Sequence, residues 1–205
     1  MSADPKSTTT RRTLLGLTLA AAGAAAGKAV GYSSKITARP FLRPPGAVAE
    51  SEFGGKCVRC FQCGNICPNG AIQFHGLSAG LGQAFTPYIN PREQGCIGCM
   101  KCTEVCPSDA LRPVDPDPDT VILDSRAKMG LARLNKDMCY SYAEPARTCG
   151  VCYRACPYPG KAMSIGLWER PTIHREHCIG CGLCEQSCIH LPQAIRIIPF
   201  DREDV

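Results

Sequence analysis

Large apolar side chains and long apolar runs are scarce in this chain of 205 residues, which has only six Phe, six Tyr and one Trp. Turn formers are frequent instead, with 20 Gly and 17 Pro. Such a composition cannot build a large hydrophobic core on its own. No apolar run reaches the ~18 residues of a transmembrane helix, and no glycine-rich phosphate loop is present. With 44% hydrophobic and 20% charged residues, the chain is not a disordered tail either. Another kind of interaction must therefore hold it together.

An excess of basic over acidic residues is missing from most of the chain, although the formal net charge is +5. Residues 1–45 hold seven Lys and Arg side chains against Asp4 alone, so the remaining residues carry one more acidic than basic group. A nucleic-acid interface needs a basic patch within the folded part of a protein. The distribution of charge therefore excludes nucleic acid as the partner.

The N-terminus has the layout of an export signal. Arg11 and Arg12 are followed by fifteen uncharged residues, 13–27, which are rich in Ala, Gly and Leu. An arginine pair before a weakly apolar stretch is typical of a twin-arginine signal. The sequence therefore predicts a periplasmic protein that is exported by the twin-arginine route. Residues 47–49 fit a small-x-small cleavage rule but lie far downstream, so segment 1–45 is interpreted as a signal and linker that either is removed or stays as a membrane anchor.

Cysteine is the abundant residue, with 16 of 205, and every cysteine falls in one of four motifs. The first two motifs have the spacing Cys-x2-Cys-x2-Cys-x3-Cys-Pro. The third has nine residues between its first two cysteines, and the fourth has Ile189 in place of the proline. The four motifs, in chain order, are Cys57, Cys60, Cys63 and Cys67; Cys96, Cys99, Cys102 and Cys106; Cys139, Cys149, Cys152 and Cys156; and Cys178, Cys181, Cys184 and Cys188.

This spacing is that of the bacterial ferredoxin run for a 4Fe–4S cluster. Three thiolates two residues apart can wrap a loop around three corners of one cube, and the fourth cysteine leads away toward a neighbouring cube. The proline that follows turns the chain and carries no N–H. The sequence therefore predicts four 4Fe–4S clusters, with all sixteen cysteines as iron ligands.

Two other uses of cysteine compete with this interpretation. Structural zinc prefers two separated Cys-x2-Cys pairs around one tetrahedral ion. Disulfides are the usual state of a small exported chain rich in cysteine, but thiols two residues apart make poor partners for each other. Export of the folded protein with its clusters already inserted explains how reduced thiolate ligands reach an oxidising compartment, which favours iron–sulfur clusters.

The motifs are parts of an internal repeat that predicts an α+β fold of tandem, two-cluster, bacterial-ferredoxin-like domains with little regular secondary structure. Each motif is followed by a short apolar run that indicates a strand. The runs are 71–74, 110–111, 162–165 and 194–198, and 171–174 indicates a further strand before the fourth motif. We expect an N-terminal segment 1–45, one domain over 46–120 and a second over 121–205. We also expect an extended linker at 40–45, a proline-rich turn at 113–119 and a short helix within 124–135.

The pairing of the motifs remains open between two arrangements. The first cysteines of motifs one and two are 39 residues apart, as are those of motifs three and four, and this shared spacing favours pairing of adjacent motifs. The fourth cysteine of each run would then bind the cluster of its neighbour. In the alternative, nested arrangement, motif one pairs with motif four and motif two with motif three.

Several segments resemble the NapG/MauM family of ferredoxin-type proteins. They are 43–47, 57–60, 86–88, 129–132, 149–157 and 174–185, and the resemblance extends from the arginine pair to about residue 199. It implies a periplasmic electron carrier beside a membrane-embedded ferredoxin-type partner of the NapH or MauN kind. In the nitrate-reductase branch, that pair oxidises quinol and passes electrons toward a periplasmic reductase or cytochrome. In the other branch, the similar protein serves methylamine utilisation.

Catalytic residues are not evident in the sequence. His75, His174, His177 and His190 do not form a pattern with a nucleophile, and every predicted cluster has four cysteine ligands. We therefore expect an electron-transfer subunit without an activity of its own, and peripheral association with the membrane. An assembly factor that supports the maturation of another periplasmic redox enzyme is the second hypothesis.

Overall fold

The structure is a computed structural model that describes residues 42–143 and 147–200. The arginine pair and the apolar segment of the predicted export signal lie outside these residues. The described residues belong to one compact unit. None of their helices combines the length and the apolar character that crossing a membrane requires.

The secondary-structure elements are short, as the prediction of little regular structure requires. The strands are β1 (Ile72–Phe74), β2 (Pro87–Ile89), β3 (Gly130–Leu134), β4 (Met163–Ile165), β5 (Pro171–Ile173) and β6 (Ile195–Pro199). The helices are α1 (Glu50–Lys56), α2 (Gln62–Ile66), α3 (Lys101–Glu104), α4 (Pro118–Leu123), α5 (Tyr140–Ala143), α6 (Val151–Arg154) and α7 (Leu183–Gln186). Single 3-10 turns cover Leu77–Ala79, Ser125–Ala127, Lys136–Met138 and Leu167–Glu169.

In the N-terminal half, the strand after motif one pairs with the strand before motif two. β1 and β2 are antiparallel, with Ile72 opposite Ile89. The chain before motif one meets the chain after motif two at a bridge between Ala47 and Leu111. The β1–β2 pair and the Ala47–Leu111 bridge therefore join the chain segments on either side of motifs one and two, so the two motifs belong to one unit.

The C-terminal half repeats this plan with longer strands. β4 follows motif three and pairs with β5, which precedes motif four. β3 precedes motif three and pairs over its full length with β6, which follows motif four. This is the strand pairing of two adjacent motifs, and the fold class of tandem ferredoxin-like units is confirmed.

Residues 124–135 do not form the helix that their Ala, Lys, Arg, Met and Leu content predicts. After the 3-10 turn Ser125–Ala127 they enter β3, where Gly130 and Ala132 are buried while Arg133 is exposed. This alternation has the period of a strand. Pairing with the strongly β-forming Ile195, Ile197 and Ile198 overrides the weak helix preference of the segment.

Two other expectations about connecting segments are also corrected. Residues 42–45, expected in an extended linker, are buried against the body of the protein. The end of the predicted turn at 113–119 starts α4 instead, because Pro118 occupies the first helical turn and the Asp117 carboxylate accepts a hydrogen bond from the Thr120 N–H at 3.0 Å.

Cysteines are part of both hydrophobic clusters of the protein. The larger cluster includes Cys96, Cys178, Cys181 and Cys184 together with aliphatic residues of both halves, and the smaller includes Cys102 around the fully buried Phe53. The sites that these thiols build therefore occupy the place of an ordinary apolar core.

Candidate iron–sulfur sites

The cysteine loops of all four motifs share one backbone conformation. The residue two places before the third cysteine is left-handed in each motif, and a short helix starts directly after it. These residues are Phe61, Met100, Gly150 and Gly182, with φ of 63°, 56°, 54° and 87°. In three motifs the residue before the second cysteine is also left-handed: Arg59, Gly98 and Gly180. Such a conformation strains residues other than glycine, and strain of this kind is concentrated at functional sites.

Left-handed residues in these positions turn successive backbone N–H groups toward the inside of the loop. Concave arrangements of this kind bind anions, iron–sulfur clusters among them. In motif four, residues 179–182 are buried, and their N–H groups donate no hydrogen bond to any described residue. Buried amides without an acceptor are costly. The loop is therefore built to surround an acceptor that the chain itself does not supply.

The thiols come together in groups that combine three cysteines of one motif with the fourth cysteine of its neighbour. Set I is Cys57, Cys60, Cys63 and Cys106, which line one cavity. Set II is Cys67, Cys96, Cys99 and Cys102, which line a second. Set IV is Cys156, Cys178, Cys181 and Cys184, which line a third.

Set III is Cys139, Cys149, Cys152 and Cys188. Cys152 is half-buried; burial raises the pKa of its thiol to about 11, and the nearby thiols of Cys139, Cys149 and Cys188 act in the same direction. The nine residues between Cys139 and Cys149 loop out through α5. The Ser141 hydroxyl accepts a hydrogen bond from the Cys149 N–H at 3.1 Å, which brings the second cysteine back beside the first. Despite its longer spacing, motif three therefore also contributes three cysteines to a group of four thiols.

The chemistry of these sites fits 4Fe–4S clusters. Burial raises the pKa of Cys63 and of Cys181 to about 12 and the pKa of Cys96 to about 11. Thiolates in such surroundings need a strongly cationic partner, which iron supplies. When bound, a 4Fe–4S cluster adds reversible one-electron chemistry to each site.

The geometry argues against the two competing uses of cysteine. All sixteen cysteines are free thiols, which does not favour disulfides. A tetrahedral zinc ion would bring its sulfur ligands to within about 3.8 Å of one another. Within 42–143 and 147–200, no group of three or more His, Cys, Asp or Glu side chains is arranged to hold a single metal ion. The described residues therefore offer no site for a single zinc ion.

Sets II and IV meet where the two halves of the protein touch. The Cys96 N–H donates a hydrogen bond of 2.7 Å to the Cys181 carbonyl oxygen. Tyr158 lies at the same junction, where burial raises the pKa of its hydroxyl to about 12 and the nearby thiols of Cys181 and Cys96 act in the same direction. Sets I and II are also neighbours, because the charge of the Cys63 thiol in set I contributes to the raised pKa of Cys102 in set II.

Sequence reasoning missed the polar residues that hold this junction. Glu185 is buried; one carboxylate oxygen accepts the Ile197 N–H at 2.6 Å, and the other lies 3.3 Å from Nε of Arg92. The Gln186 side chain accepts the Gly95 N–H at 2.9 Å. The signal that the sequence offered was the Glu-Gln pair directly after the third cysteine of motif four.

Profiles of two iron–sulfur families match the chain. The 4Fe-4S dicluster domain matches residues 56–110 and 95–159, and the 4Fe-4S binding domain matches residues 171–190. The first match covers motifs one and two. The second overlaps it and covers motifs two and three, since a profile recognises cysteine spacing along the chain and not which motifs meet in space.

Curated relatives cover most of this chain. It is 37% identical over 216 residues to the ferredoxin-type protein NapG of Escherichia coli K12, which covers 98% of this chain and 90% of that protein. It is 34% identical over 194 residues to the methylamine utilization ferredoxin-type protein MauM of Methylobacillus flagellatus, with 88% and 78% covered. The ferredoxin-type protein NapG of Haemophilus influenzae is 36% identical over 186 residues, with 78% and 59% covered.

Proposed function

This chain belongs to the NapG/MauM family of ferredoxin-type iron–sulfur electron-transfer proteins, and from that premise we propose that it carries electrons in the periplasm through four 4Fe–4S clusters. The electrons come from a quinol-oxidising, membrane-embedded ferredoxin-type partner and go toward a periplasmic reductase of the nitrate-reductase kind. The two similar proteins named NapG support this branch, and those named MauM support methylamine utilisation as the alternative.

The observation that carries the proposal is the order of the four cysteine sets in space. Set I adjoins set II, because Cys102 packs in the same hydrophobic cluster as Cys63 and Cys106. Set II adjoins set IV at the Cys96–Cys181 hydrogen bond. Set IV adjoins set III, because helix α7, which carries Cys184, packs against helix α6, which carries Cys152. The order is therefore I, II, IV, III, a continuous row with one end in each half of the protein.

Apolar residues bury the junction of sets II and IV, whereas Cys60 of set I is exposed. Met100 and Ile179 are 1% exposed, and they lie in the loops of motifs two and four. An apolar, tightly packed surrounding excludes water from the space between these two sites. A row of this kind suits the passage of single electrons over the length of the protein.

The metal content is tested on the full-length protein, purified without oxygen. We expect about 16 iron and 16 sulfide per chain. Stoichiometric zinc with negligible iron would contradict the proposal. Reduction by dithionite, followed by low-temperature EPR, should show interacting 4Fe–4S signals.

Electron transfer is tested with the membrane partner in vesicles and a reduced quinol. We expect the clusters to be reduced at a rate that keeps up with a periplasmic reductase. The bleaching of their visible absorbance measures this rate. If dithionite reduces the clusters but quinol with the partner does not, the protein is no carrier in this path. The assembly-factor hypothesis would then be favoured.

Export is tested by changing Arg11 and Arg12 together to Lys. The twin-arginine machinery requires the pair, so the variant should stay in the cytoplasm with its iron bound. The matched control is Lys6→Arg, which leaves the pair unchanged. Continued export of the double variant would contradict the proposed route.

A further inference from the structure

Two arginines face each other directly across the β3–β6 pair. Arg133 and Arg196 are cross-strand partners, and both are exposed. Like charges in directly opposite positions of an antiparallel pair destabilise the sheet. Among the residues that the structure describes, none forms a hydrogen bond or an ion pair with either guanidinium. The fold thus keeps an unfavourable pair that none of its described residues neutralises.

The arginine pair borders an open groove that holds a third basic side chain. The groove is lined by Arg133, Leu134, Lys136, Asp137, Met138, Gln193, Arg196 and Ile198, among others. Three of these side chains are basic and one, Asp137, is acidic, so the groove is positive. Leu134 and Ile198 supply apolar surface, and Ile198 is 44% exposed.

The groove lies beside set III, at one end of the row of cysteine sets. Lys136 and Met138 form the 3-10 turn that runs directly into Cys139, and the Cys139 N–H donates to the Lys136 carbonyl oxygen at 3.2 Å. Gln193, on the opposite wall, follows the set III ligand Cys188 by five residues. A molecule seated in the groove is therefore held next to the last site of the row.

We propose that this basic groove is the docking site for an acidic segment of a redox protein that exchanges electrons with the protein at set III. The proposal rests on the proposed function, because set III is an end of the row only if the row carries electrons. Charge complementarity selects the partner, since a negative segment removes the repulsion between Arg133 and Arg196 when it binds. A concave groove with apolar walls fits a protruding protein segment better than the flat surface of a membrane.

The first experiment measures binding to the full-length, iron-loaded protein. The probe is a fluorescent octaglutamate peptide that ends in a Leu-Phe pair, titrated at low and at high salt. We expect salt-dependent binding that is weakened about tenfold by Arg133→Ala with Arg196→Ala. The control with the same change of charge is Arg112→Ala with Arg175→Ala, at exposed arginines away from the groove, which should bind like the unchanged protein.

Equal losses in the two double variants would show that only net charge matters and would overturn the proposal. Vesicles of phosphatidylglycerol and phosphatidylcholine are the second probe. Binding of the vesicles, but not of the peptide, that depends on Arg133 and Arg196 would assign the groove to a lipid surface and would equally overturn it. The iron content and the reduction by dithionite are measured on each variant, so a failure of the electron-carrier function is recognised separately.

Arg133→Glu separates docking from a role in folding. It replaces a repulsive cross-strand pair by an attractive one, so the melting temperature should rise by about 2 °C. Affinity for the peptide should nevertheless fall by at least the same factor as in the double variant. A side chain that serves the fold alone would not change stability and affinity in opposite directions, and unchanged affinity would contradict the proposal.

Discussion

The backbone N–H of Cys96 donates a hydrogen bond of 2.7 Å to the carbonyl oxygen of Cys181. This bond joins the loop of motif two to the loop of motif four, and so it joins the two halves of the protein at the place where two cysteine sets meet. Gly95 permits the approach, because a Cβ at that position would lie 2.8 Å from the backbone nitrogen of Leu183. The closeness of the sets therefore depends on a residue that carries no side chain.

Gly95→Ala should separate the two halves at this junction. Backbone atoms 2.8 Å away must move to admit the methyl group, and overpacking of this kind costs about 1–3 kcal/mol. We expect the free energy of unfolding to fall by that amount and the spin–spin coupling in the EPR spectrum of the reduced protein to weaken. The control is Gly82→Ala, where a Cβ meets nothing within 4 Å. A Gly95→Ala protein with unchanged coupling would show that the junction does not set the distance between sets II and IV.

Glu185 should stabilise the junction through its hydrogen bond more than through its charge. Glu185→Gln keeps an acceptor for the Ile197 N–H and loses only the ion pair with the half-exposed Arg92, so it should cost at most about 1 kcal/mol. Glu185→Ala leaves the buried N–H of β6 without an acceptor and opens a cavity, which should cost about 3 kcal/mol.

Denaturation of the iron-loaded protein without oxygen measures both Glu185 variants. Lys161→Ala is a suitable control, because its ion pair with Asp119 is exposed and should contribute nothing measurable. Equal losses in the Gln and Ala variants would mean that the charge of Glu185, and not its hydrogen bond, holds the junction.

Arg43 should fasten the start of the folded chain to the β1–β2 hairpin. Its side chain is 4% exposed; it donates to Thr86 and to the Pro87 carbonyl at 2.9 and 2.7 Å, and its Nε is 2.8 Å from the Glu50 carboxylate. Arg43→Lys cannot reproduce this fork of donors. We expect a loss of about 3 kcal/mol for Arg43→Ala and most of that for Arg43→Lys, with faster hydrogen exchange in β1 and β2.

The Arg43–Glu50 pair should also give the protein an acid-sensitive stability. Burial acts to raise the pKa of Glu50, but the hydrogen bond and the charge of Arg43 outweigh it, and the pKa lies below its ordinary value. The pair therefore stabilises the folded state above the ordinary carboxyl pKa of ~4.5, and this contribution is lost as the pH falls through the lowered value. Wild type and Glu50→Gln should differ at pH 7, approach each other as the pH falls below about 4.5, and coincide only below the lowered pKa of Glu50, as measured by anaerobic denaturation. A constant difference would contradict this account.

The features that follow from local pattern were predictable from the sequence. The apolar runs after the motifs form β1, β4 and β6, and the run before motif four forms β5. Left-handed positions could be predicted where the motifs contain glycine, because glycine adopts positive φ without cost. These positions are Gly98, Gly150, Gly180 and Gly182. The spacing of the cysteines favoured adjacent pairing, which is how the thiols group in the structure, but it left the nested arrangement open.

The features that depend on distant partners were not predictable. β3 exists because of a strand more than 60 residues away, and its own composition indicates a helix. Phe61 and Met100 take the left-handed conformation without glycine, since the loop around the site imposes it. In the sequence, Arg43 is one more basic residue near the N-terminus. Its role depends on the fold, which places Thr86 and Pro87 within hydrogen-bonding distance of its side chain.

The grouping of Cys67 with motif two leads to the most direct test of the cysteine assignment. Cys67 lines the cavity of Cys96, Cys99 and Cys102, as adjacent pairing requires. Cys67→Ser and Cys96→Ser should therefore alter the same component of the EPR and Mössbauer spectra, because both remove a ligand from set II. Cys63→Ser, four residues away in the same motif, should alter a different component, because Cys63 belongs to set I. The iron content of each variant should fall by no more than about four atoms.

The nested arrangement predicts a different coincidence among the same variants. It places Cys67 on the site of motif four, so Cys67→Ser would match Cys178→Ser and not Cys96→Ser. In the structure, Cys178 lines its cavity with Cys156, Cys181 and Cys184, and Cys156→Ser should therefore be the variant that matches Cys178→Ser. A spectrum in which Cys67→Ser and Cys178→Ser lose the same component would overturn the order I, II, IV, III, because set II would then lack its fourth thiol and the two halves would share a site instead of a junction.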